Sequence, residues 1–227
     1  MKPQDVSIVI PTLNEAGTIG SCVQSALAAG AQEVIVSDGG SNDETERRAA
    51  ESGATKVIRS LPGRGIQLNA GATFAKGDIV LFLHADNRLG EACLRQICEA
   101  DQAGEPIVWG AFRQRIDAPG WVYRMLEFGN ALRVTVRRIP FGDQAMFVRR
   151  QTYKQEGGFA EVPLMEDVDF SKRFREIAKP TLLHGPVTVS SRRWETSGVL
   201  RQTFRNWRIQ VAYALGVSPE RLQDWYR

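Results

Sequence analysis

Residues that commonly define a small protein's chemistry by themselves are scarce here: three cysteines and two histidines in 227 residues. Cys22, Cys93 and Cys98 form neither a C-x-x-C pair nor a zinc-finger spacing, and each falls among apolar residues in a helical pattern. This excludes a disulfide framework and a structural zinc site, and predicts buried thiols in a reducing compartment. No apolar run reaches the roughly 18 residues of a transmembrane helix, and the first residues lack the apolar core of a signal peptide. The expected location is the cytoplasm, with peripheral contact at the inner face of the membrane left open. Internal repeats and low-complexity linkers are absent too, so residues 1–227 read as a single domain. Against 26 acids stand 29 Lys and Arg, a net charge of +3. That balance suits anionic small substrates or lipid headgroups and gives no sign of a nucleic-acid partner.

What is present centres on residues 78–87, Asp-Ile-Val-Leu-Phe-Leu-His-Ala-Asp-Asn. The apolar run 79–83 fits a strand buried on both faces, delivering His84 and Asp86 to its carboxyl end, where an open α/β sheet binds ligands. On an extended tip alternate residues point the same way, so imidazole and carboxylate could share a metal ion or a phosphate. The alternative is that Asp86 begins a turn and caps a helix.

Upstream, residues 6–10 form a β-branched strand stopped by Pro11, and Thr12-Leu13-Asn14-Glu15 has the form of a capping box opening a helix that ends at Gly30. Residues 33–37 form a second strand, tipped by Asp38-Gly39-Gly40; Ser41 to Glu44 make another capping box. A third strand, 55–59, leads to the loop Leu61-Pro62-Gly63-Arg64-Gly65 and a helix over 66–75. The loop matches neither the P-loop nor the G-x-G-x-x-G pattern. Strand and helix alternating in this way predict a mostly parallel, Rossmann-like α/β sheet flanked by helices.

Four pieces now carry a resemblance: Ser7 to Glu15, Val36 to Asp43, Arg64 through Asn69-Ala70-Gly71, and Phe82 to Asp86. In that order they resemble the nucleotide-binding half of the family 2 glycosyltransferases, which have the GT-A fold. The resemblance implies a GT-A-like domain, with residues 1–105 as the nucleotide half and 106–227 as an acceptor-side extension ending in helices. It implies a nucleoside-diphosphate sugar donor contacted by Pro11, Thr12, Asn14, Glu15, Asp38, Gly39, Arg64, His84 and Ala85. It also implies a divalent cation, Mn²⁺ or Mg²⁺, held by Asp86 with His84. Two departures stand out: Asp38-Gly39 replaces the usual acid pair, and His84 replaces the first acid of the D-x-D metal motif, a change that suits Mn²⁺ better than Mg²⁺.

The second half is less legible. Residues 107–116 predict a strand, and 120–134 a helix whose Trp121, Met125, Leu126, Phe128 and Leu132 are expected to pack in the core rather than serve as a sugar platform. Asp143 and Gln144 either bind sugar hydroxyls or make a turn. Glu166-Asp167 opens a helix carrying Val168, Phe170, Phe174 and Ile177; acids there complement the helix dipole. This segment also resembles the Glu-Asp motif that holds the family's general base, which implies Asp167 in that role, with Glu166 second. Two short strands, 181–183 and 187–191, precede Arg193-Trp194, which resembles the end of the Q-x-x-R-W motif and is assigned to the acceptor side. Ser190 occupies the glutamine position, so processive polymer synthesis is not implied. In the helix over 199–215, Arg201, Arg205 and Arg208 make either a solvated basic face or a surface for anionic lipid.

The resulting expectation is an inverting transferase moving a sugar from a UDP-sugar, or secondarily a GDP-sugar, to a hydroxyl acceptor that a lipid could carry. A nucleotidyltransferase, expected to place a glycine-rich basic loop after its first strand, and a non-catalytic sugar-nucleotide-binding module remain the alternatives.

Overall fold

The computed structural model describes residues 1–104 and 106–226, without the side chains of Arg193, Ser197, Leu200 and Tyr226. Its first half alternates as expected: β1 (Val6–Thr12), α1 (Ile19–Ala28), β2 (Glu33–Asp38), α2 (Thr45–Glu51), β3 (Lys56–Arg59), α3 (Arg64–Phe74) and β4 (Ile79–Phe82). Strands β3, β2, β1 and β4 lie side by side and parallel. Ile8, Ile10, Val34 and Val36 join one core cluster, while Val9 and Ile35 join another on the opposite face. A continuous apolar strand is thus divided between two helical layers by its period of two. The register pairs Thr12 with Asp38 and Asp38 with Arg59, which levels the carboxyl ends of three strands.

The second half adds β5 (Asn87–Leu89), α4 (Cys93–Gln102), β6 (Trp109–Ile116), α5 (Trp121–Arg137), β7 (Phe147–Arg149), α6 (Arg150–Gln155), α7 (Glu166–Ile177), β8 (Thr181–Val189), α8 (Arg192–Ser197), α9 (Val199–Ala214) and α10 (Pro219–Tyr226). The sheet continues as β4-β7-β6-β8-β5, with β7 antiparallel to β4 and to β6. Stacked rings of Phe159, Phe170 and Phe174, with centroids 4.4 and 3.9 Å apart, fasten α7 to the sheet. Burying such a ring contributes about 1.5–3 kcal/mol, so the start of α7 is a firm platform. A third cluster, containing Ile139, Met165, Val168, Ile209 and Leu222, ties α9 and α10 to that platform. All three cysteines are free and buried.

Several local expectations are corrected. Pro11 lies inside β1, opposite Ser37; β4 pairs with β1 only as far as Val9, so the missing N–H interrupts no ladder on that side. Neither capping box forms, since α1 starts at Ile19 and α2 at Thr45, where Asp43 Oδ1 accepts the Thr45 N–H at 3.0 Å. Residues 84–87 make a turn closed by the Asn87 N–H on the His84 carbonyl (3.0 Å), rather than an extended tip. The two strands expected near the end are one, β8, which carries a register shift against β6 between Phe112 and Gln114. On α5 the expected burial fails: Trp121, Met125 and Phe128 are exposed, Trp121 by 72%. The spacing read correctly as a helix, but the face it marks is turned to solvent. Among the described residues no helix is long and apolar enough to cross a membrane.

Candidate active site

The loop after β1 is laced to the loop after β2. Asp38, fully buried, accepts the N–H groups of Gly40 (2.9 Å) and Ser41 (2.7 Å) and the hydroxyls of Ser41 (2.6 Å) and Thr12 (3.0 Å). Asn14, at φ 55°, donates its N–H to Ser41 Oγ and accepts that of Asn42 through Oδ1. These bonds make Asp38 and Asn14 organisers of the loops. Gln67 on α3 reaches the carbonyls of Thr12 (2.6 Å) and Ser37 (3.1 Å), and a Cβ at Gly39 would stand 3.1 Å from its amide. A side chain at 39 would have to displace the Gln67 amide from these bonds.

Above these loops opens a cleft of about 740 Å³ walled by Pro11, Thr12, Glu15, Arg64, His84, Ala85, Asp86 and Glu166. Its size falls in the range of small-molecule sites. Asp38, Asn14 and Gly39 are not among its walls. Arg64 is the first residue of α3, which starts two residues before the expected position, and its Nη1 lies 3.0 Å from Glu166 Oε1. Glu166 is 2% exposed. Burial pushes its carboxyl above the ordinary range; Arg64 pulls it back and the neighbouring Asp167 adds to the rise. The approach of α3 to this wall requires Gly65, where a Cβ would lie 2.2 Å from the Ala160 carbonyl oxygen. Asn69 holds the same loop by accepting the Tyr153 hydroxyl (2.6 Å) and the Phe159 N–H (2.9 Å).

Asp86 faces the cleft beside Arg192, whose guanidinium lies 3.7 Å from Asp86 and 3.5 Å from Glu15. Two carboxylates gathered about one cationic group make a place suited to positive charge. Among the described residues no three metal-binding side chains converge. The set therefore fits a hard cation that takes one or two protein donors and completes its shell with phosphate oxygens, the usual manner of Mg²⁺.

Asp167 stands on an adjoining cavity of about 160 Å³, walled also by Arg64, His84, Asp143, Glu166 and Asn206. Its Oδ2 accepts the Gly142 N–H (2.8 Å) and its Oδ1 the Val168 N–H (2.7 Å). A Cβ at Gly142 would lie 2.7 Å from His84 Nε2 and 3.5 Å from Asp167 Oδ2, so only glycine lets the imidazole and this carboxylate approach from two sides. Met165 just before α7 and Ala145 just after Asp143-Gln144 are left-handed, at φ 70° and 45°. Strained non-glycine backbone thus flanks the cavity, as it often does at functional sites.

The structure brings Glu15, Arg64, His84, Asp86, Asp143, Glu166, Asp167 and Trp194 to connected cavities. Gln144 stays out: it is fully buried, accepting from Arg133 Nη2 (2.7 Å) and the Phe141 N–H and donating to the Phe112 carbonyl. The expected contact of Gln144 with sugar hydroxyls gives way to a role under the site. The side chain of Arg193 lies outside the described residues; the arginine at Asp86 is its neighbour Arg192. Three polar residues went unnoticed in the sequence, Gln202, Asn206 and Gln210 of α9, which line the cavities. Their spacing of four, a polar stripe through an arginine-rich helix, was the available signal. Arg133 was missed as well; burial lowers its guanidinium to about 10 as it stacks 3.2 Å over the Phe141 ring.

Comparison with known proteins bears on the fold and the family. A glucosyl-3-phosphoglycerate synthase of Mycolicibacterium smegmatis is 40% identical over 92 residues, 36% of this chain and 30% of that protein. The chain thus matches about a third of that relative's length. The solved Mycobacterium tuberculosis glucosyl-3-phosphoglycerate synthase with Mn²⁺, UDP and glucosyl-3-phosphoglycerate superposes with a TM-score of 0.56 at 23% identity, over 82% of this chain and 70% of the other. TarS of S. aureus superposes with a TM-score of 0.66 at 19% identity, over 84% and 61%. These likenesses establish the GT-A architecture. Residues 7–160 match the glycosyl transferase family 2 profile, and the chain belongs to that family.

Proposed function

We propose that the chain transfers a sugar from a nucleoside-diphosphate sugar, UDP-linked in preference to GDP-linked, to a hydroxyl acceptor with inversion at the anomeric carbon. One observation carries this reading: Asp86 and Asp167 stand on separate cavities that share His84 and Arg64 as their common wall. Charge on the departing diphosphate and the proton of the attacking hydroxyl need different partners, and this arrangement supplies one for each. Asp86, with His84 beside it, would hold the divalent cation; when bound, that ion supplies neutralisation of the diphosphate's charge. Arg64 at the amino end of α3 adds a fixed positive charge on the same side. Asp167 takes the acceptor proton. Glu166, engaged by Arg64, is the lesser candidate for that duty.

Of the alternatives, a nucleotidyltransferase is disfavoured by Pro11-Thr12-Leu13-Asn14-Glu15 where a glycine-rich basic loop would be expected. A purely binding module would need Asp167 only for its two backbone N–H bonds and not as a proton acceptor on the second cavity. The acceptor could be lipid-linked, because α5 and α9 each expose aromatic and aliphatic residues, among them Trp121, Phe128, Phe204 and Trp207. Arg137 and Arg201 on the same two helices are exposed as well. Apolar residues flanked by arginine suit peripheral attachment to an anionic membrane.

The deciding experiment incubates the protein with UDP- and GDP-sugars and Mn²⁺ and scores sugar release. Turnover should be lost in Asp86→Ala and in excess EDTA. If both leave turnover and donor affinity intact, the cation does not sit at Asp86.

A further inference from the structure

Beside the donor cleft lies a small cavity of about 80 Å³ between the turn at 84–87, β8, α8 and α9. Asn87 at its wall is 1% exposed, and its Nδ2 donates to the Asp143 carbonyl at 3.0 Å, which fixes the orientation of the amide. Its Oδ1 is then buried without a partner in the chain, and so is Asp143 Oδ1 on the same cavity. On α9, Asn206 at the same wall accepts from Gln202 Nε2 (2.9 Å) through Oδ1, so the polar group it has left is the donor Nδ2. Trp194, set edge-on to Tyr123, supplies an apolar wall.

Buried acceptors are rarely left unsatisfied, and what satisfies them must carry hydrogens. A phosphate dianion or a carboxylate carries none. It would also meet Asp143 and Asp86, whose charge Arg192 already faces at 3.7 Å, and none of the described residues lining this cavity is lysine or arginine. A hydroxyl does both jobs the cavity asks for, donating to Asn87 or Asp143 and accepting from Asn206. We propose that this cavity seats one edge of an uncharged, polyhydroxylated acceptor, with Asn87, Asp143 and Asn206 selecting hydroxyls against phosphorylated or carboxylated acceptors. Its role as the acceptor seat rests on the sugar-transfer reading above. Because Asp143 and Asn206 also line the cavity of Asp167, a hydroxyl next to the anchored edge comes within range of the base.

Isothermal titration of the full chain, alone and with UDP plus Mn²⁺, against methyl glucoside and glycerol and against glucose 6-phosphate and glycerol 3-phosphate tests this. The neutral compounds should bind at least ~10-fold tighter than their phosphates, equivalent to about 1.4 kcal/mol. Asn206→Arg, which brings a cation to the wall, should shift the ranking toward the phosphates by a similar factor. Tighter binding of the phosphates by the wild type would overturn the proposal. So would absence of polyol binding in both states, which leaves ordered water as the cavity's occupant, or a ranking unmoved by a folded Asn206→Arg. Should that variant not fold, the wild-type ranking decides alone. Donor hydrolysis by water, measured in parallel, separates the two readings: hydrolysis without polyol binding sinks this inference only, whereas polyol binding without donor turnover leaves the site and removes the transfer.

Discussion

Glu166 and Asp167 are chain neighbours with different surroundings, and the difference is measurable. Asp167 holds two backbone N–H groups, so Asp167→Asn keeps one acceptor and turns an amide NH₂ toward the other donor. Loss of such a bond costs about 1 kcal/mol, a fall of roughly 2–4 °C in Tm for a chain of this size. Loss of a general base costs on the order of 10² to 10⁴ in rate. The variant is therefore expected to bind donor, melt a few degrees lower and lose at least about a hundredfold in transfer by that estimate. Wild-type transfer with lowered melting would leave Asp167 a helix-terminus residue. Glu166 predicts a pH effect instead. Its folded-state carboxyl holds a proton above its ordinary value of 4.5, because burial and Asp167 outweigh Arg64. Between 4.5 and the raised value this group binds more protons in the native state than in the unfolded chain, so its contribution to stability is full below that window and is lost as pH rises through it. Melting curves of the ligand-free protein should show this slope, and Glu166→Gln should flatten it. Equal slopes would assign the titration to another buried acid such as Asp143, whose carboxyl burial also pushes up.

At the scale of elements, glycine placement distinguishes tight helix packing from open surface. A Cβ at Gly71 of α3 would lie 2.4 Å from Val9 Cγ1 in β1, whereas one at Gly129 of α5 meets nothing within 4 Å. Overpacking costs about 1–3 kcal/mol, while replacing an unneeded helical glycine gains roughly 0.5–1 kcal/mol. Gly71→Ala should lower Tm and Gly129→Ala should raise it, both read from the same thermal melts. A rise in Gly71→Ala would mean that α3 can slide on the sheet. Since Arg64 begins α3, such sliding would also loosen the wall shared by the two cavities.

For the whole molecule, the unanswered feature is the apolar surface that folding leaves outside. Phe204, Trp207 and Val211 on α9, with Leu215 just past its end, follow one another at helical spacing and are all exposed, as are Trp121, Met125, Phe128, Leu132 and Val136 on α5. Co-sedimentation with anionic liposomes is expected at low salt and should fade as salt screens the arginines. Phe128→Glu combined with Trp207→Glu should abolish it. Retention in the supernatant at low salt, with a concentration-dependent sedimentation coefficient, would assign these faces to a second copy of the chain.

Much of this protein was determined by sequence alone. The β1 to β4 half could be read because continuous apolar strands, glycine stops and alternating helices are local patterns, and the same holds for family membership through Pro11 to Glu15, Asp38 and Asp86. Tertiary structure decided the rest, because those questions turn on contacts between segments far apart in the chain. It bonded Asp38 to the loops beneath the cleft, and gave Gln144 to Arg133. It turned the α5 aromatics outward, since an apolar stripe at helical spacing records only that a face exists and not what covers it. It also joined Asn87, Asp143 and Asn206 at one cavity. No periodicity brings together residues up to 119 positions apart in the chain; only the closing of α9 over the sheet's carboxyl edge does, through the apolar cluster of Met165, Val168 and Ile209.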